Sequence, residues 1–432
     1  MNFPLIVFFI CFIVCFLVKV PVGLSMMVAS VFYFLLKPGP LTPLDMVANQ
    51  FLCQLSVKYV MIAVPLFIFS AQIMNACKIT DMIFDWACSI IGRFRGGLGQ
   101  VNVLASLIFS GMSGAAYADA AGLGIMEISS MRKRGYGDEF ACAITAASAT
   151  IGPIFPPSIP MILYGSIASV SIGSLFLGGI IPGILLAAFL MFYVAIISKR
   201  RNYPRETVSY TFRQWLLLTL RSIPALLAPV ILLAGIYTGI FTPTEAGAIA
   251  GAWALIVAFF IYRSLDLKSI WPILIDAAKT TAVVSLTLGA SYSISYIVAI
   301  EKISILITNS LIGFMTSKFL FLLIINILFL ALGMFVDTMV ILVVFVPIVL
   351  PIATAMDINL VHFGVVLVFN MMVGLSTPPY GGLLFITSGI SGVPLYGIIK
   401  EIIPLIVVMI IVLFLITYIP DLVMFIPNLA MR

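Results

Sequence analysis

The sequence predicts an all-α polytopic membrane protein, folded from two structural repeats that enter the membrane in opposite orientations. Of its 432 residues, 63% are hydrophobic and 9% are charged, whereas a soluble domain carries about 25% charged residues. Apolar stretches of about 17 to 25 residues recur along the chain, the length with which a helix crosses a hydrocarbon core of roughly 30 Å. Such long stretches favour helices over the short alternating strands of a membrane β-barrel.

The repeats are indicated by a constant offset of 222 residues between matching motifs. This offset carries Gly111 onto Gly333 and Gly152 onto Gly374. The other matched positions are Pro21 with Pro243, Pro156-Pro157 with Pro378-Pro379, and Ile180-Ile181-Pro182 with Ile402-Ile403-Pro404. An ungapped match of this extent predicts a first repeat in residues 1–215 and a second in residues 216–432.

The first repeat is predicted to contain scaffold spans within residues 3–76, then a hairpin, a broken helix and one further span. The hairpin, 98–131, has basic residues at both ends, so both ends are expected on the cytoplasmic side. Its arms of about fifteen residues are short for crossings of about 20, which predicts a re-entrant hairpin. The broken helix covers 139–168 and the span covers 173–197.

The second repeat follows the same plan. Its predicted elements are scaffold spans within 222–262, a connector at 268–279, a span at 281–300, a second connector at 301–316, a hairpin at 318–355, a broken helix at 359–388 and a span at 402–419. Five crossings plus one hairpin in each repeat is an odd number, which inverts the second copy and places both termini in the periplasm. The loop charges agree, because Lys and Arg cluster at 199–213 but not at the base of the second hairpin.

Both broken helices contain proline-rich breaks. Four prolines lie between residues 153 and 160, where they remove N–H donors and clash with preceding carbonyl groups, so no continuous helix is expected. Backbone groups freed at membrane depth must be satisfied by protein, water or an ion, and carbonyl and hydroxyl oxygens suit a hard cation such as Na⁺. The alternative interpretation is a pair of proline kinks that serve only tight packing.

Two Na⁺ sites are predicted where a hairpin tip meets a break. The first set consists of Ser110, Ser113, Gly152, Phe155 and Pro157. The second set consists of Gly333, Gly374, Thr377 and Tyr380, with the Thr338 hydroxyl beside them.

An anionic substrate is expected in the same region, because half-helix N-termini present free N–H groups and positive dipole ends. Ionisable groups at membrane depth are candidates for function. The residues assigned to the substrate region are Gly114, Asp119, Ser158, Asp337 and Thr338. Glu245, by contrast, is interpreted as a first-turn acid that stabilises the start of its helix.

The sequence lacks the motifs that are typical of several classes of function. The sequence has no Gly-Lys dipeptide, no HExxH, no GxSxG and no CxxC, which excludes a Walker-A loop and the common hydrolase and redox motifs. Its single histidine, His362, argues against a histidine-based metal site. The net charge of +6 resides in short loops, a topology signal, so no nucleic-acid partner is expected. We predict no enzyme, and an intramembrane aspartyl protease remains a weaker alternative.

Four segments in register carry a resemblance to a known family. They begin at Ser110 (Ser-Gly-Met-Ser-Gly-Ala), Gly152 (Gly-Pro-Ile-Phe-Pro-Pro-Ser), Gly333 (Gly-Met-Phe-Val-Asp-Thr) and Ser376 (Ser-Thr-Pro-Pro-Tyr-Gly). These segments resemble the large membrane subunit of the tripartite ATP-independent periplasmic (TRAP) transporters, and the resemblance covers essentially the whole chain.

The resemblance implies an elevator-type carrier of the bacterial inner membrane, similar in architecture to the divalent-anion/sodium symporters. A transport domain of two hairpins and two broken helices then slides against a scaffold. It further implies Na⁺-coupled uptake of a carboxylate, such as a C4-dicarboxylate or sialic acid, delivered by a periplasmic substrate-binding protein. A small four-helix membrane subunit is also implied, and is expected as a separate chain.

Two other transport hypotheses stay open at this point. A stand-alone dicarboxylate/sodium symporter needs no binding protein, and a passive anion channel needs no ion gradient. The two predicted cation sites also differ in chemistry, because the offset pairs Ser113 with Phe335.

Overall fold

The computed structural model describes residues 3–18, 20–39, 42–57, 62–77, 79–204, 211–302 and 317–430, and within these ranges the regular structure is entirely helical. The helices, numbered in chain order, are α1 (Phe3–Leu17), α2 (Val22–Leu36), α3 (Met46–Val57), α4 (Ala63–Ala76), α5 (Ile79–Ile91), α6 (Gly97–Ser113), α7 (Ala116–Lys133), α8 (Asp138–Ala149), α9 (Ile159–Ala168), α10 (Ile172–Arg200), α11 (Phe212–Tyr237), α12 (Pro243–Ile256), α13 (Leu267–Ile300), α14 (Lys318–Phe335), α15 (Thr338–Ala355), α16 (Leu360–Leu375), α17 (Gly382–Ser391), α18 (Leu395–Tyr418) and α19 (Asp421–Ala430). A π-helical turn, Val257–Ile261, continues α12.

Seven helices in the described part of the chain are long and apolar enough to cross a membrane. Many of their large apolar side chains point outwards, and the exposed set includes Phe192, Phe212, Phe260, Leu267 and Trp271. A water-facing surface with so many exposed apolar groups would be unstable, whereas a lipid bilayer solvates them. The fold is that of a polytopic membrane protein.

Two helical hairpins form where the sequence predicts them, from α6 and α7 and from α14 and α15. We call them hairpin 1 and hairpin 2. Their arms have 17 or 18 residues, so they are longer than expected and extend about 27 Å at most. Both arms of hairpin 2 are long enough to cross a hydrocarbon core. Arm length therefore does not distinguish a re-entrant hairpin from two crossings.

Both predicted breaks are present. Break 1 is residues 150–158, between α8 and α9, and break 2 is residues 376–381, between α16 and α17. In break 1 the Ser158 side chain accepts a hydrogen bond from Met161 N at 3.2 Å and so starts α9, while Pro160 occupies the first turn, where its missing N–H is not needed. The Pro156–Pro157 and Pro378–Pro379 peptide bonds are cis.

The 222-residue offset also relates helix bounds. It carries the start of α7 from Ala116 to Thr338, where α15 begins, and the start of α8 from Asp138 to Leu360, where α16 begins. The same local signals therefore produce the same local structures twice. The division of the chain into two repeats and their opposite insertion remain predictions.

Several predicted boundaries differ from the structure. The connector at 268–279 and the span at 281–300 were expected to be separate, but they form one 34-residue helix, α13. The segment before α4 contains the helix α3, and α19 follows the last predicted span. Residues 301 and 302 close α13, and the remainder of the predicted connector at 301–316 lies outside the described residues.

The end of α13 is fastened to α2 by a charged cluster. Glu301 Oε1 accepts a hydrogen bond from the Tyr33 hydroxyl at 2.6 Å and pairs with Lys37 Nζ at 2.5 Å. The Glu301 side chain is 9% exposed while that of Lys37 is 37% exposed. This contact ties together two helices of the predicted scaffold.

Candidate functional site

The tip of hairpin 1 lies directly against break 1. Gly114 ends α6 in the left-handed conformation, with a φ of 62°, and its carbonyl oxygen accepts a hydrogen bond from Ile159 N at 3.3 Å. A Cβ atom at Gly114 would lie 2.6 Å from the Pro157 carbonyl oxygen. Only glycine combines this backbone conformation with so close an approach. Hairpin tip and break therefore form one compact backbone site.

A buried carboxyl group faces the same place. Asp119, in the first turn of α7, accepts a hydrogen bond on Oδ1 from the Ser113 hydroxyl. Its other oxygen, Oδ2, points at break 1, because a Cβ atom on Gly152 would lie 2.4 Å from it. Among the described residues, Oδ2 has no hydrogen-bond partner although it is buried. Ser113, Gly152 and Pro157 of the predicted first Na⁺ set thus lie beside Gly114 and Asp119, which were assigned to the substrate region.

Ser110 and Phe155 of the first Na⁺ set, and Ser158 of the predicted substrate region, make local contacts. The Ser110 hydroxyl donates to the Leu107 carbonyl oxygen at 2.6 Å, within its own helix, and the Ser158 hydroxyl donates to the Pro153 carbonyl oxygen at 2.5 Å. The Phe155 ring packs near Gly111. Ser110 and Ser158 therefore contact backbone groups in this conformation.

In the second half, hairpin 2 and its broken helix meet through two glycines. A Cβ atom on Gly374 would lie 2.7 Å from Gly333 Cα, and one on Gly333 would lie 3.1 Å from Gly374 Cα. Thr377 N donates to the Gly374 carbonyl oxygen at 2.9 Å, and the Thr377 hydroxyl donates to the Val373 carbonyl oxygen at 2.6 Å. Gly333, Gly374 and Thr377 are brought together as predicted.

Tyr380 differs from its neighbours in this second set. Its side chain is 62% exposed, and its ring lies 5.9 Å from that of Phe335 at the tip of hairpin 2. The aromatic side chain therefore covers the outside of the second site, and only its backbone lies in break 2.

Asp337 occupies the tip of hairpin 2 and begins α15. Its Oδ1 accepts a hydrogen bond from Met339 N at 2.9 Å, so the carboxylate caps the helix that starts at Thr338. The hydroxyl of Tyr117, from the first turn of α7, also interacts with the Asp337 side chain. The same hydroxyl would be 2.6 Å from a Cβ atom on Gly382, at the start of α17. Tyr117 therefore joins hairpin 1, hairpin 2 and break 2.

The first site has the chemistry of a hard-cation site. A buried carboxylate oxygen without a partner is costly, because an isolated charge in a low-dielectric interior requires compensation. Here it faces Gly152 in break 1, while the Ser113 hydroxyl binds the other oxygen of the same carboxylate. Oxygen ligands of these types suit Na⁺. No group of three or more His, Cys, Asp or Glu side chains suited to a metal occurs within the described ranges.

The comparisons with known proteins agree with this arrangement of hairpins and breaks. Residues 9–422 match the family model described as the tripartite ATP-independent periplasmic transporter, DctM component. The chain belongs to this family. It is 38% identical over 412 residues to the sialic acid TRAP transporter large permease protein SiaM of Vibrio cholerae, and the alignment covers 95% of each chain. It is 33% identical over 377 residues to the C4-dicarboxylate TRAP transporter large permease protein DctM of Pseudomonas aeruginosa, and this alignment covers 87% of this chain and 88% of the relative.

A solved structure shares the fold. The YdaH transporter of Alcanivorax borkumensis superimposes with a TM-score of 0.59 over 86% of each chain, at 11% sequence identity. At this identity the likeness concerns the fold alone. The family membership and the apolar helices together make the chain a multi-pass TRAP large permease of the bacterial inner membrane, and a transporter subunit, not an enzyme.

Two site residues of this TRAP permease were not singled out from its sequence. Tyr117 has no motif of its own, and its role depends on the packing of hairpin 1 against hairpin 2 and α17. Asn102 lies in the middle of an apolar stretch of α6 and binds the buried carboxyl group of Glu127. A polar amide side chain within an apolar stretch is the sequence feature that could have identified Asn102.

The interpretation of Glu245 as a helix-capping acid is confirmed. Thr242 and Glu245 form a reciprocal cap at the start of α12, in which Glu245 Oε2 accepts from Thr242 N at 2.8 Å. His362 is buried, and its Nε2 lies 2.8 Å from the Ile416 carbonyl oxygen. Each side chain thus has a structural partner.

Proposed function

We propose that this TRAP large permease couples the inward movement of Na⁺ to the uptake of a small organic anion. The single observation that carries the proposal is the buried, unpartnered Oδ2 of Asp119, which faces Gly152 in break 1. A coupling ion supplies the positive charge that this oxygen lacks. Ser113 orients the carboxylate through Oδ1, so that Oδ2 remains directed towards the break.

The second Na⁺ site is proposed at Gly333, Gly374, Thr377 and the backbone of Tyr380. The two glycines meet at the end of α16, where a negative dipole end and the last backbone carbonyl groups favour a cation. The Thr377 hydroxyl lies on the same turn. Because the second set has no carboxylate, we expect it to bind Na⁺ more weakly than the first.

The substrate is proposed to bind between the two hairpin tips, where Tyr117, Asp337 and Thr338 converge. The starts of α7, α9, α15 and α17 all lie at these tips or breaks, and helix N-termini attract anions. Relatives named for sialic acid and for C4-dicarboxylates support a carboxylate. Asp337 repels an anion unless its charge is offset, so we propose that Tyr117 and a bound cation offset it.

The proposed working assembly contains two partners. A periplasmic substrate-binding protein delivers the anion, and a small four-helix membrane subunit supports the scaffold, as the tripartite family name suggests. We further propose an elevator motion, in which the hairpins and broken helices move together against α2, α12 and α13. The interlocked tips described above support movement as one body.

Binding of Na⁺ can be tested on the purified chain without any partner. We expect NaCl to raise the thermal unfolding temperature relative to an equal concentration of choline chloride, since a ligand that binds only the folded state adds about 2.7 kcal/mol at 100 times its Kd. Asp119→Asn keeps the shape and removes the charge, and it should lose most of this shift. Asp276→Asn is the control, because Asp276 is exposed and pairs only with a neighbour on its own helix. Equal Na⁺ shifts in wild type and Asp119→Asn would refute the first site.

Transport is tested in proteoliposomes. The chain, its small subunit and its binding protein should accumulate labelled sialic acid or C4-dicarboxylate only under an inward Na⁺ gradient. Uptake that is indifferent to this gradient would overturn the coupling. Uptake by the chain alone from free substrate would overturn the requirement for partners and favour a stand-alone symporter.

A further inference from the structure

Hairpin 1 contains a second buried carboxyl group, which the proposed Na⁺ sites do not use. Glu127 lies in α7, eight residues beyond Asp119, and is 1% exposed. Eight residues of helix correspond to a rise of about 12 Å. The two carboxyl groups therefore belong to different places in the hairpin.

Glu127 is held by a polar network that spans three helices. Asn102 Nδ2, from α6, donates to Glu127 Oε2 at 2.8 Å and to Thr145 Oγ1 of α8 at 2.7 Å. The Ser148 hydroxyl donates to Asn102 Oδ1 at 2.7 Å, and the Ser106 hydroxyl donates to Ser148 Oγ at 3.0 Å. All five side chains are buried. The network orients one oxygen of the Glu127 carboxyl group.

The other oxygen has no such support. Glu127 Oε1 is buried and, in the part of the chain that the structure describes, has no hydrogen-bond partner. An ionised carboxylate distributes its charge over both oxygens and gains stability from donors on each. The Thr145 and Ser106 hydroxyls also lie close to the carboxyl group, but neutral donors alone do not compensate a full charge in this interior.

Within the described ranges, no positive side chain lies on the helices that pack against α7. The helices that pack along α7 are α4, α5, α6, α8 and α17, and none of them contains Lys, Arg or His. Their charged residues are all acidic: Asp81, Asp85, Asp138 and Glu139.

The basic residues at the end of α7 are directed elsewhere. Arg132 Nε pairs with Asp138 at 2.9 Å, and another guanidinium nitrogen donates to the Ser391 carbonyl oxygen at 3.1 Å. Lys133 is exposed. Asp119, on the same helix as Glu127, adds only negative charge.

From this geometry we propose that Glu127 is a proton-binding site, in which the Asn102 network orients the carboxyl group and burial without a positive partner keeps it the neutral acid. Glu127 and its neighbours Asn102 and Thr145 lie within helices and not at a break, so the freed backbone carbonyl oxygens that would complete a Na⁺ site are missing around Oε1, and the proposed ligand is a proton. The 222-residue offset places Val349 at the equivalent position of hairpin 2. The site is therefore specific to hairpin 1, and it carries a proton in addition to any ion at the tip.

Infrared spectroscopy of the purified full-length chain tests this proposal directly. A protonated carboxylic acid has a carbonyl band that is separate from the bands of carboxylates. At neutral pH we expect such a band in wild type, shifted when the protein is labelled with ¹³C-glutamate and absent from Glu127→Gln. Labelling with ¹³C-aspartate should leave it in place, which separates Glu127 from Asp119. Glu245→Gln is the matched control, because Glu245 is an exposed helix-capping carboxylate, and its loss should not change the band.

The labelling experiment on wild type keeps the proposal testable even if Glu127→Gln does not fold. Absence of a glutamate acid band at neutral pH would show an ionised group and overturn the proposal. A band that disappears as NaCl replaces choline chloride would identify a Na⁺ site and overturn it as well. Persistence of the band at all Na⁺ concentrations supports it. Because Gln resembles the neutral acid, Glu127→Gln should retain the Na⁺-dependent thermal shift, so a failure here is distinguishable from a failure of the Asp119 site.

Discussion

The hydroxyl of Tyr117 interacts with the carboxylate of Asp337 and thereby links the two hairpin tips. Tyr117 belongs to the first turn of α7, while Asp337 caps α15, 220 residues further along the chain. The same hydroxyl lies against Gly382 at break 2. The start of α7, which also contains Asp119, therefore contacts the tip of hairpin 2.

Tyr117→Phe should reduce transport without unfolding the protein. The substitution keeps the ring and removes only the hydroxyl, and one hydrogen bond contributes about 1 kcal/mol to stability. We expect a several-fold loss of Na⁺-driven uptake in proteoliposomes and a change of only a few degrees in the unfolding temperature. Tyr237→Phe serves as the control, since Tyr237 is 52% exposed. Wild-type uptake by Tyr117→Phe would show that this link has no part in coupling.

Gly374→Ala should prevent the close backbone contact between Gly333 and Gly374 in the proposed second site. The new methyl group would lie 2.7 Å from Gly333 Cα and 2.8 Å from its carbonyl carbon, and two backbones cannot separate as easily as a side chain can rotate. We expect a loss of about 3 kcal/mol or more, of the size caused by overpacking, measured as a lower unfolding temperature. Gly389→Ala, also within a helix, has open space around the new atom and should be neutral or stabilising. Equal stability of the two variants would contradict the close contact.

Thr377→Val should weaken the proposed second Na⁺ site. Valine preserves the shape and removes the hydroxyl oxygen, so we expect the Na⁺ concentration for half-maximal uptake to rise on the order of tenfold, or about 1.4 kcal/mol. Thr354→Val is a matched control, because the Thr354 hydroxyl also donates to the carbonyl oxygen four residues earlier but is exposed. An unchanged Na⁺ titration in Thr377→Val would remove Thr377 from the site.

Glu301→Gln should destabilise the predicted scaffold. The substitution removes the negative charge that pairs with Lys37 Nζ at 2.5 Å. The same carboxylate oxygen accepts a hydrogen bond from the Tyr33 hydroxyl at 2.6 Å. Because the carboxylate is largely buried, we expect a loss of roughly 1–3 kcal/mol in the free energy of unfolding. Asp276→Asn breaks the exposed pair with Lys279 and should cost less than about 1 kcal/mol. Similar unfolding temperatures for these two variants would show that the cluster does not fasten α2 to α13.

Local chemistry explains which parts of this fold were predictable. Consecutive prolines exclude a helix wherever they occur, so the breaks after Ala149 and Leu375 follow from sequence. The contact between the tip of hairpin 1 and break 1 at Gly152 could also be predicted, because the backbone groups that a break frees require partners.

Other features depend on packing that no local pattern specifies. Ser110 was expected to face an ion, but a helical serine can satisfy its hydroxyl on its own backbone, and here it binds the Leu107 carbonyl oxygen. Tyr117 acts across the two halves, and the partner of an aromatic hydroxyl cannot be read from spacing. The charged residue Lys279 suggested a boundary between connector and span, yet it is exposed on a helix that continues through it.

The unbroken course of α13 has a consequence for how the protein sits in its membrane. Its 34 residues extend about 51 Å, which exceeds a hydrocarbon thickness of roughly 30 Å by far more than the usual tilts of 0–40° can absorb. The N-terminal third, with Lys268, Asp276 and Lys279 all exposed, must then emerge into the headgroup layer or the water beyond. Because α13 is one continuous helix, the point near Lys279 where it leaves the hydrocarbon core sets the depth of the protein relative to the lipid surface.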